Sequence, residues 1–443
     1  MLYRWPSLRR LLICCPIAIA LCAPPIVPAQ APATAPATLR ATAATIETLI
    51  ADLSSDSWAV RQKAQSDLVQ IGPDAVPRLK QLLAQTNDEE VRTRAEAALK
   101  QIAEIRNTGP SFITLRLRNA SPKVVFAELA RQADADLLPS PHNLWESRPW
   151  PSLDIDIQQQ PFWRAMRIIC DKFAVSPQTN NFSRNLVIAD RQVAGLPWGS
   201  GPSVLSGPFL LSATRINSYR TVDLNQPDNV IRTCHIQFQV YAEPKVRVLQ
   251  GSYSPRIDLA IDEKGNSLIA ARPVNDMMQP FNNWSWNLSV SLSPPPDAGQ
   301  RIAKLKGNAR CVIQTRAEQA EIPNVLTARN VTRLVGGRKF LLKEVRRNAQ
   351  MYTVLMNLAR TPADGPAWMH PFGSFMLLDG QGNPLQRMNT GGVAGVLGDV
   401  SLLFQAQNPQ DLQPLQPAKL VWEVPLESKE LQIPFEFVDL PLP

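Results

Sequence analysis

The side chains best able to do chemistry in this 443-residue chain are few and scattered. Its three histidines are His142, His235 and His370, none at ligand spacing from another histidine or a cysteine, so neither a metal nor a cofactor is expected. No G-x-S-x-G elbow presents a nucleophile. The run Gly195-Leu-Pro-Trp-Gly199-Ser200-Gly201 has neither the following helix nor the lysine that a phosphate-cradling loop needs. Aspartate and glutamate total 38, enough for a pair of the glycosidase kind, but no spacing selects one. No catalytic residue is therefore assigned, and a hydrolase whose carboxylates meet only in the fold stays open as an alternative.

Two other features could bind or bond. Asp262-x-x-Gly265-Asn266-x-Leu268 recurs as Asp379-x-x-Gly382-Asn383-x-Leu385. Each lacks the alternating oxygen ligands and distant bidentate glutamate of a calcium loop. Each is expected to be a hairpin turn, with glycine supplying positive φ. Of six cysteines, Cys14, Cys15 and Cys22 lie near the N-terminus, leaving Cys170, Cys234 and Cys311. Cys234 shares a strand face with Ile236, Phe238 and Val240, and Cys311 one with Ile313, so both are core positions first. A Cys234–Cys311 disulfide is a further candidate in an oxidising compartment. Cys170 reads as an inert core thiol.

The tryptophans are the strongest binding lead. Trp145 and Trp150 lie in a proline-rich stretch and Trp198 in a Gly/Pro/Ser linker. Tryptophans on loops can stack on sugars, anchor a protein partner or plug a domain junction. Trp284 and Trp286 share one strand face and are expected in a core.

These residues need elements to hold them. Residues 1–31 read as a secretory signal peptide: Arg4, Arg9 and Arg10 precede a short, proline-broken apolar stretch ending at Ala29-Gln30-Ala31. Its removal would lower the formal charge from +8 to +5. The remaining charge is scattered without a Lys/Arg run, which argues against nucleic acid and fits loose attraction to an anionic envelope polymer. No later stretch approaches the ~18 apolar residues of a membrane helix, so no integral span is expected. Residues 32–43 form an Ala/Pro/Thr linker. Forty prolines, against a usual share near 5 %, favour short strands and linkers over long helices.

Residues 44–106 have helical periodicity. Val60-Arg61-x-x-Ala64-x-x-x-Leu68-x-x-Ile71 returns 31 positions later as Val91-Arg92-x-x-Ala95-x-x-x-Leu99-x-x-Ile102. Gly72-Pro73 should end one helix and open the next. This stretch resembles HEAT-type helical repeats, over about one and a half repeats. Residues 107–194 alternate strand and helix. Ile113-Thr-Leu-Arg-Leu117 precedes Ser121-Pro122-Lys-Val-Val-Phe126, and Leu153-Asp-Ile-Asp-Ile157 precedes Gln160-Pro161-Phe162-Trp163, with a closing strand at Leu186–Ile188. Ser121 should cap the first helix with Pro122 at its first position. This resembles the secretin and TonB short N-terminal domain, apart from the insert Ser140–Pro151. The resemblance implies a protein-interaction module of outer-membrane systems.

After a linker at 195–207, residues 208–443 alternate in short strands broken by turns every 8–12 residues or so, the pattern of a β-sandwich. Three landmarks repeat: the D-x-x-G-N-x-L turn and strand 235–242 each recur 117 positions on, and Glu321-Ile-Pro323 recurs as Gln432-Ile-Pro434 after 111. Two tandem sandwiches, 208–324 and 325–443, are expected, with Met351 and Trp422 as counterparts of Cys234 and Cys311. The expected fold is thus multidomain α+β: a short helical-repeat hairpin, a small α/β domain and two tandem β-sandwich domains. The expected function is an exported, periplasmic or envelope-associated scaffold that binds envelope proteins without catalysis. Binding of a carbohydrate or wall polymer is the second alternative.

Overall fold

A computed structural model describes residues 43–443 except 142, 179–185, 192–197, 199–200, 271–275, 281–283, 349–350, 359–374, 383, 392–398 and 407–413. The expected signal peptide and nearly all of its linker, together with His142 and His370, therefore lie outside the described residues. Among the described residues no helix is long and apolar enough to cross a membrane. The chain is multidomain α+β and mostly strand, and divides into two units within helix α4 (Glu89–Thr108): residues up to Ala95 and residues from Glu96 on.

The first unit holds α1 (Ala43–Asp52), α2 (Trp58–Ile71), α3 (Val76–Gln85) and the start of α4. Gly72, at φ 74°, ends α2, and Pro73 sits in the 3-10 turn before α3. The core is Ile46, Ile50, Leu53, Ala64, Leu68, Ile71, Leu79, Val91 and Ala95. The sequence repeat has a physical counterpart. Arg61 donates to the Ser55 carbonyl at 2.7 Å, and Arg92 to the Thr86 carbonyl at 2.9 Å. Each guanidinium thus closes the loop before its own helix by reaching back six residues. Val60 differs from Val91: it is 39 % exposed against 4 %.

The second unit begins with an α/β layer. Its strands are β1 (Phe112–Ala120), β2 (Leu137–Ser140), β3 (Leu153–Pro161), β4 (Val175–Gln178) and β5 (Leu186–Asp190); its helices are α5 (Pro122–Ala133) and α6 (Phe162–Phe173). β1 pairs antiparallel with β3, and a second sheet has the order β2-β5-β4. Alternation turns Ile113, Leu115, Ile155 and Ile157 inward against Val125, Phe126, Leu129, Met166 and Ile169 of the helices. Ser121 occupies the cap position of α5 but its hydroxyl makes no cap bond, so the helix start rests on Pro122 and the backbone.

The rest is strand: β6 (Ser203–Ser206), β7 (Phe209–Asp223), β8 (Gln226–Ala242), β9 (Arg247–Ser252), β10 (Arg256–Asp262), β11 (Met278–Pro280), β12 (Ser285–Leu292), β13 (Arg301–Pro323), β14 (Val331–Val335), β15 (Arg338–Asn348), β16 (Met351–Leu358), β17 (Phe375–Asp379), β18 (Arg387–Gly391), β19 (Asp399–Gln405) and β20 (Pro417–Pro441). One sheet runs β12-β8-β7-β6 and another β14-β15-β16-β19-β18. Both face a third, β11-β9-β13-β20-β17, with β10 also paired to β13. The first part of the expected 195–207 linker lies mostly outside the described residues; its end, 203–206, is the edge strand β6.

The two halves repeat the same strand order, with β6, β7, β8, β12, β10 and β13 matched by β14, β15, β16, β19, β17 and β20. The D-x-x-G-N-x-L turns superpose in their bonding. Gly265 N donates to Asp262 O and Gly382 N to Asp379 O, both at 3.1 Å, with φ of 86° and 87° at the glycines. Leu268 N reaches Ala260 O at 2.9 Å as Leu385 N reaches Leu377 O at 2.8 Å. The third landmark fails: Pro323 ends β13 while Pro434 lies inside β20, paired with Asn308. Through the β10–β13 and β17–β20 registers, Leu420 matches Leu305 and Trp422 matches Gly307, not Cys311.

The halves are not independent. β13 and β20 pair antiparallel from Arg301↔Pro441 to Pro323↔Lys419. One core therefore combines Leu305, Cys311 and Ile313 with Ile433, Phe435, Phe437 and Leu440 from the chain's end. The other combines Leu420, Trp422 and Val424 with Ala320 and Ile322. The expected boundary near Asn324 falls between β13 and β14, but the sheet joins β13 to β20 from the far end of the chain.

Candidate functional site

Trp145 and Trp150 fold back with the 140–151 insert onto α5. Trp145 stacks on Phe126 (centroids 5.4 Å apart, planes at 17°), and Trp150 sits beside it at 5.5 Å and 72°. Trp150 Nε1 donates to the Leu144 carbonyl at 2.8 Å, and the Arg148 guanidinium lies 3.9 Å above its ring while pairing with Asp190 at 3.0 Å. Both indoles thus fill a seam. Trp145 also walls a groove of about 430 Å³ with Phe126, Leu137, Pro139, Ile188 and Lys123.

Trp198 lies elsewhere, in an aromatic cluster that plugs the junction between the α/β layer and the first sandwich. It approaches Trp163 at 5.6 Å and Tyr241 at 5.7 Å, while Trp163 and Trp284 stack at 5.8 Å. Trp284 and Trp286 are both buried, as their shared face required, though Trp286 belongs to the sandwich core. Next to the cluster, Glu243 is 1 % exposed and accepts the Ser111 N–H with both oxygens at 3.0 Å. Lys245 Nζ stands 3.7 Å away and donates to the Arg106 carbonyl at 2.8 Å. Burial pushes the Glu243 carboxyl up to about 7, against the opposing pull of Lys245 and Ser111.

A cleft of about 490 Å³ opens at the edge of the first sandwich. Arg310 crosses it, bound to Asp276 at 2.7 Å and near Glu430 at 3.5 Å. The guanidinium, not space for a sugar ring, lies between these two carboxylates, unlike the spacing that glycoside hydrolysis uses. Ser291 lines the same cleft, and its Oγ lies 2.9 Å from His235 Nδ1. A hydroxyl–imidazole contact is the start of a nucleophilic dyad, but it needs an orienting group on the far nitrogen. Among the described residues no carboxylate fills that role. The contact follows from register, since Ser291 and His235 are cross-strand neighbours.

Cys234 and Cys311 are buried free thiols in one core, so the candidate disulfide is not formed. Burial raises their pKa values to about 11 and 12 and holds Cys170 well above its ordinary value, leaving all three unreactive. Asp262 spends both carboxylate oxygens on the Lys264, Asn266 and Gly299 N–H groups, at 2.7–2.9 Å, as a turn does. No group of ligating side chains that could hold a metal occurs among the described residues.

One feature went unnoticed in the sequence. β7 and β8 run past their neighbours: β6 pairs with β7 only to Ser212, and β12 with β8 only from Cys234. The remaining ribbon is an arm with Tyr219, Val222, Leu224 and Ile231 exposed, Leu224 by 89 %. No family model matches the chain, and no curated protein or solved structure matches it.

Proposed function

We propose that this chain is an exported, non-catalytic interaction protein of a bacterial cell envelope that docks a protein partner through the β7–β8 arm. The arm carries the reading: a two-stranded ribbon is marginal alone in water, and apolar side chains held out on one mark an interaction surface. Export is inferred from the arginine-led, proline-broken N-terminal stretch, and the HEAT-like and secretin/TonB-like modules would add binding surfaces of their own. The polymer-binding alternative loses its motive where Phe126 and Arg148 cover the faces of Trp145 and Trp150.

The test is retention of envelope proteins by the immobilised mature chain, compared with a variant whose residues 219–233 are replaced by a two-residue Asn-Gly turn closed by the Ser218–Cys234 pair. The intact chain should retain a partner that the shortened one loses, and should turn over no glycoside or ester substrate. Equal retention by both, or none by either, removes the arm as the dock.

A further inference from the structure

The arm also carries an unresolved charge. Arg220 and Arg232 stand directly opposite one another, both exposed, and neither has an ion-pair or hydrogen-bond partner among the described residues. Like charges at opposed positions of an antiparallel pair repel, with Cβ atoms only about 5 Å apart. Strand alternation puts Val222 and Val230, the next pair but one toward the tip, on the same face as the arginines. Among the described residues no strand neighbours either long edge beyond Ser212 and Cys234.

We infer that the arm receives an extended acidic segment of a partner protein. The segment adds as a strand along a free edge, rests apolar side chains on Val222 and Val230, and sets carboxylates against the two guanidinium groups. Charge decides the occupant. A second copy of the chain would bring the same arginines to the interface. An anionic bilayer would meet Asp223 and Asp228 at the exposed tip. A polyanionic sugar would leave the valines and the strand edges without a role. The inference rests on the arm being a docking surface and adds the chemistry of what docks.

The experiment uses the full mature chain and a fluorescein-labelled peptide of the repeat Val-Thr-Glu-Thr, whose valines and glutamates fall on one strand face, followed by anisotropy. The same repeat with lysine for glutamate, phosphatidylglycerol-containing vesicles and polygalacturonate serve as comparators. The acidic peptide should bind, more weakly as salt rises. Arg220→Glu with Arg232→Glu should weaken it at least about tenfold, and the double glutamine variant by less, with the unfolding temperature unchanged in both. Equal binding of the lysine peptide, an unaltered affinity in the charge-reversed variant, or tighter binding of vesicles or polygalacturonate overturns the inference. If the peptide fails while the shortened arm still loses its envelope partner, the docking reading survives and only the acidic chemistry is wrong.

Discussion

At the scale of single residues, Glu243 is the group whose surroundings do most to its chemistry. Its carboxylate is shut into the junction between the α/β layer and the first sandwich, with the Ser111 N–H and Lys245 as partners. Burial is the largest influence, and it raises the pKa from the ordinary 4.5 to about 7. Between those values the folded chain holds a proton that the unfolded chain has released. The contribution of this group to stability is therefore greatest below pH 4.5 and falls as pH climbs through 7, by up to about 3 kcal/mol. Thermal unfolding followed from pH 5 to 8 should show that slope in the native protein and lose it in Glu243→Gln, which keeps the shape without the titration. Parallel pH profiles for the two would show that the junction does not hold a protonatable carboxyl.

At the scale of elements, the 140–151 insert is pinned to α5 by aromatic stacking. Trp145→Ala should cost about 2 kcal/mol in denaturant unfolding, part of the usual penalty for a large aromatic because the ring is only half-buried. Intrinsic fluorescence titrated with wall polysaccharide should not change in the native chain. A spectral response that disappears in Trp145→Ala would restore the polymer-binding reading. Such elements were only partly legible beforehand. The alternation Ile113-Leu115 and Ile155-Ile157 announced β1 and β3, because one buried face imposes period two. β2 and β4 were missed, each being four residues long with a proline inside, Pro139 and Pro177. The arm was invisible for another reason. Its strands alternate like those of a packed hairpin, and only the lengths of the flanking strands β6 and β12 reveal that no described strand covers it. Glu243 was equally hidden, since its partner Ser111 is 132 residues away.

At the scale of the whole polypeptide, two halves with the same strand order are joined by shared cores. Two tandem sandwiches could each have kept their last strand. Here the last strands of both halves, β13 and β20, pair with each other from Arg301↔Pro441 to Pro323↔Lys419, and each contributes to both cores. Ile433, Phe435, Phe437 and Leu440 are buried in the first core, each stabilising it by roughly 1.5–3 kcal/mol. Their sum is comparable with the net stability of a typical domain, about 5–15 kcal/mol. A chain ended at Asn324 would lose all four and bare the long edge of β13 that β20 covers, an invitation to aggregate. Residues 107–324 produced alone should therefore be insoluble or show no cooperative unfolding, although the duplicated pattern marks 324 as a boundary. Co-production with residues 325–443 should return a soluble complex of the two pieces, because β20 can then be supplied from outside. A 107–324 fragment that is soluble and unfolds cooperatively would mean that the exchanged strand is dispensable and that the first copy still closes its own core.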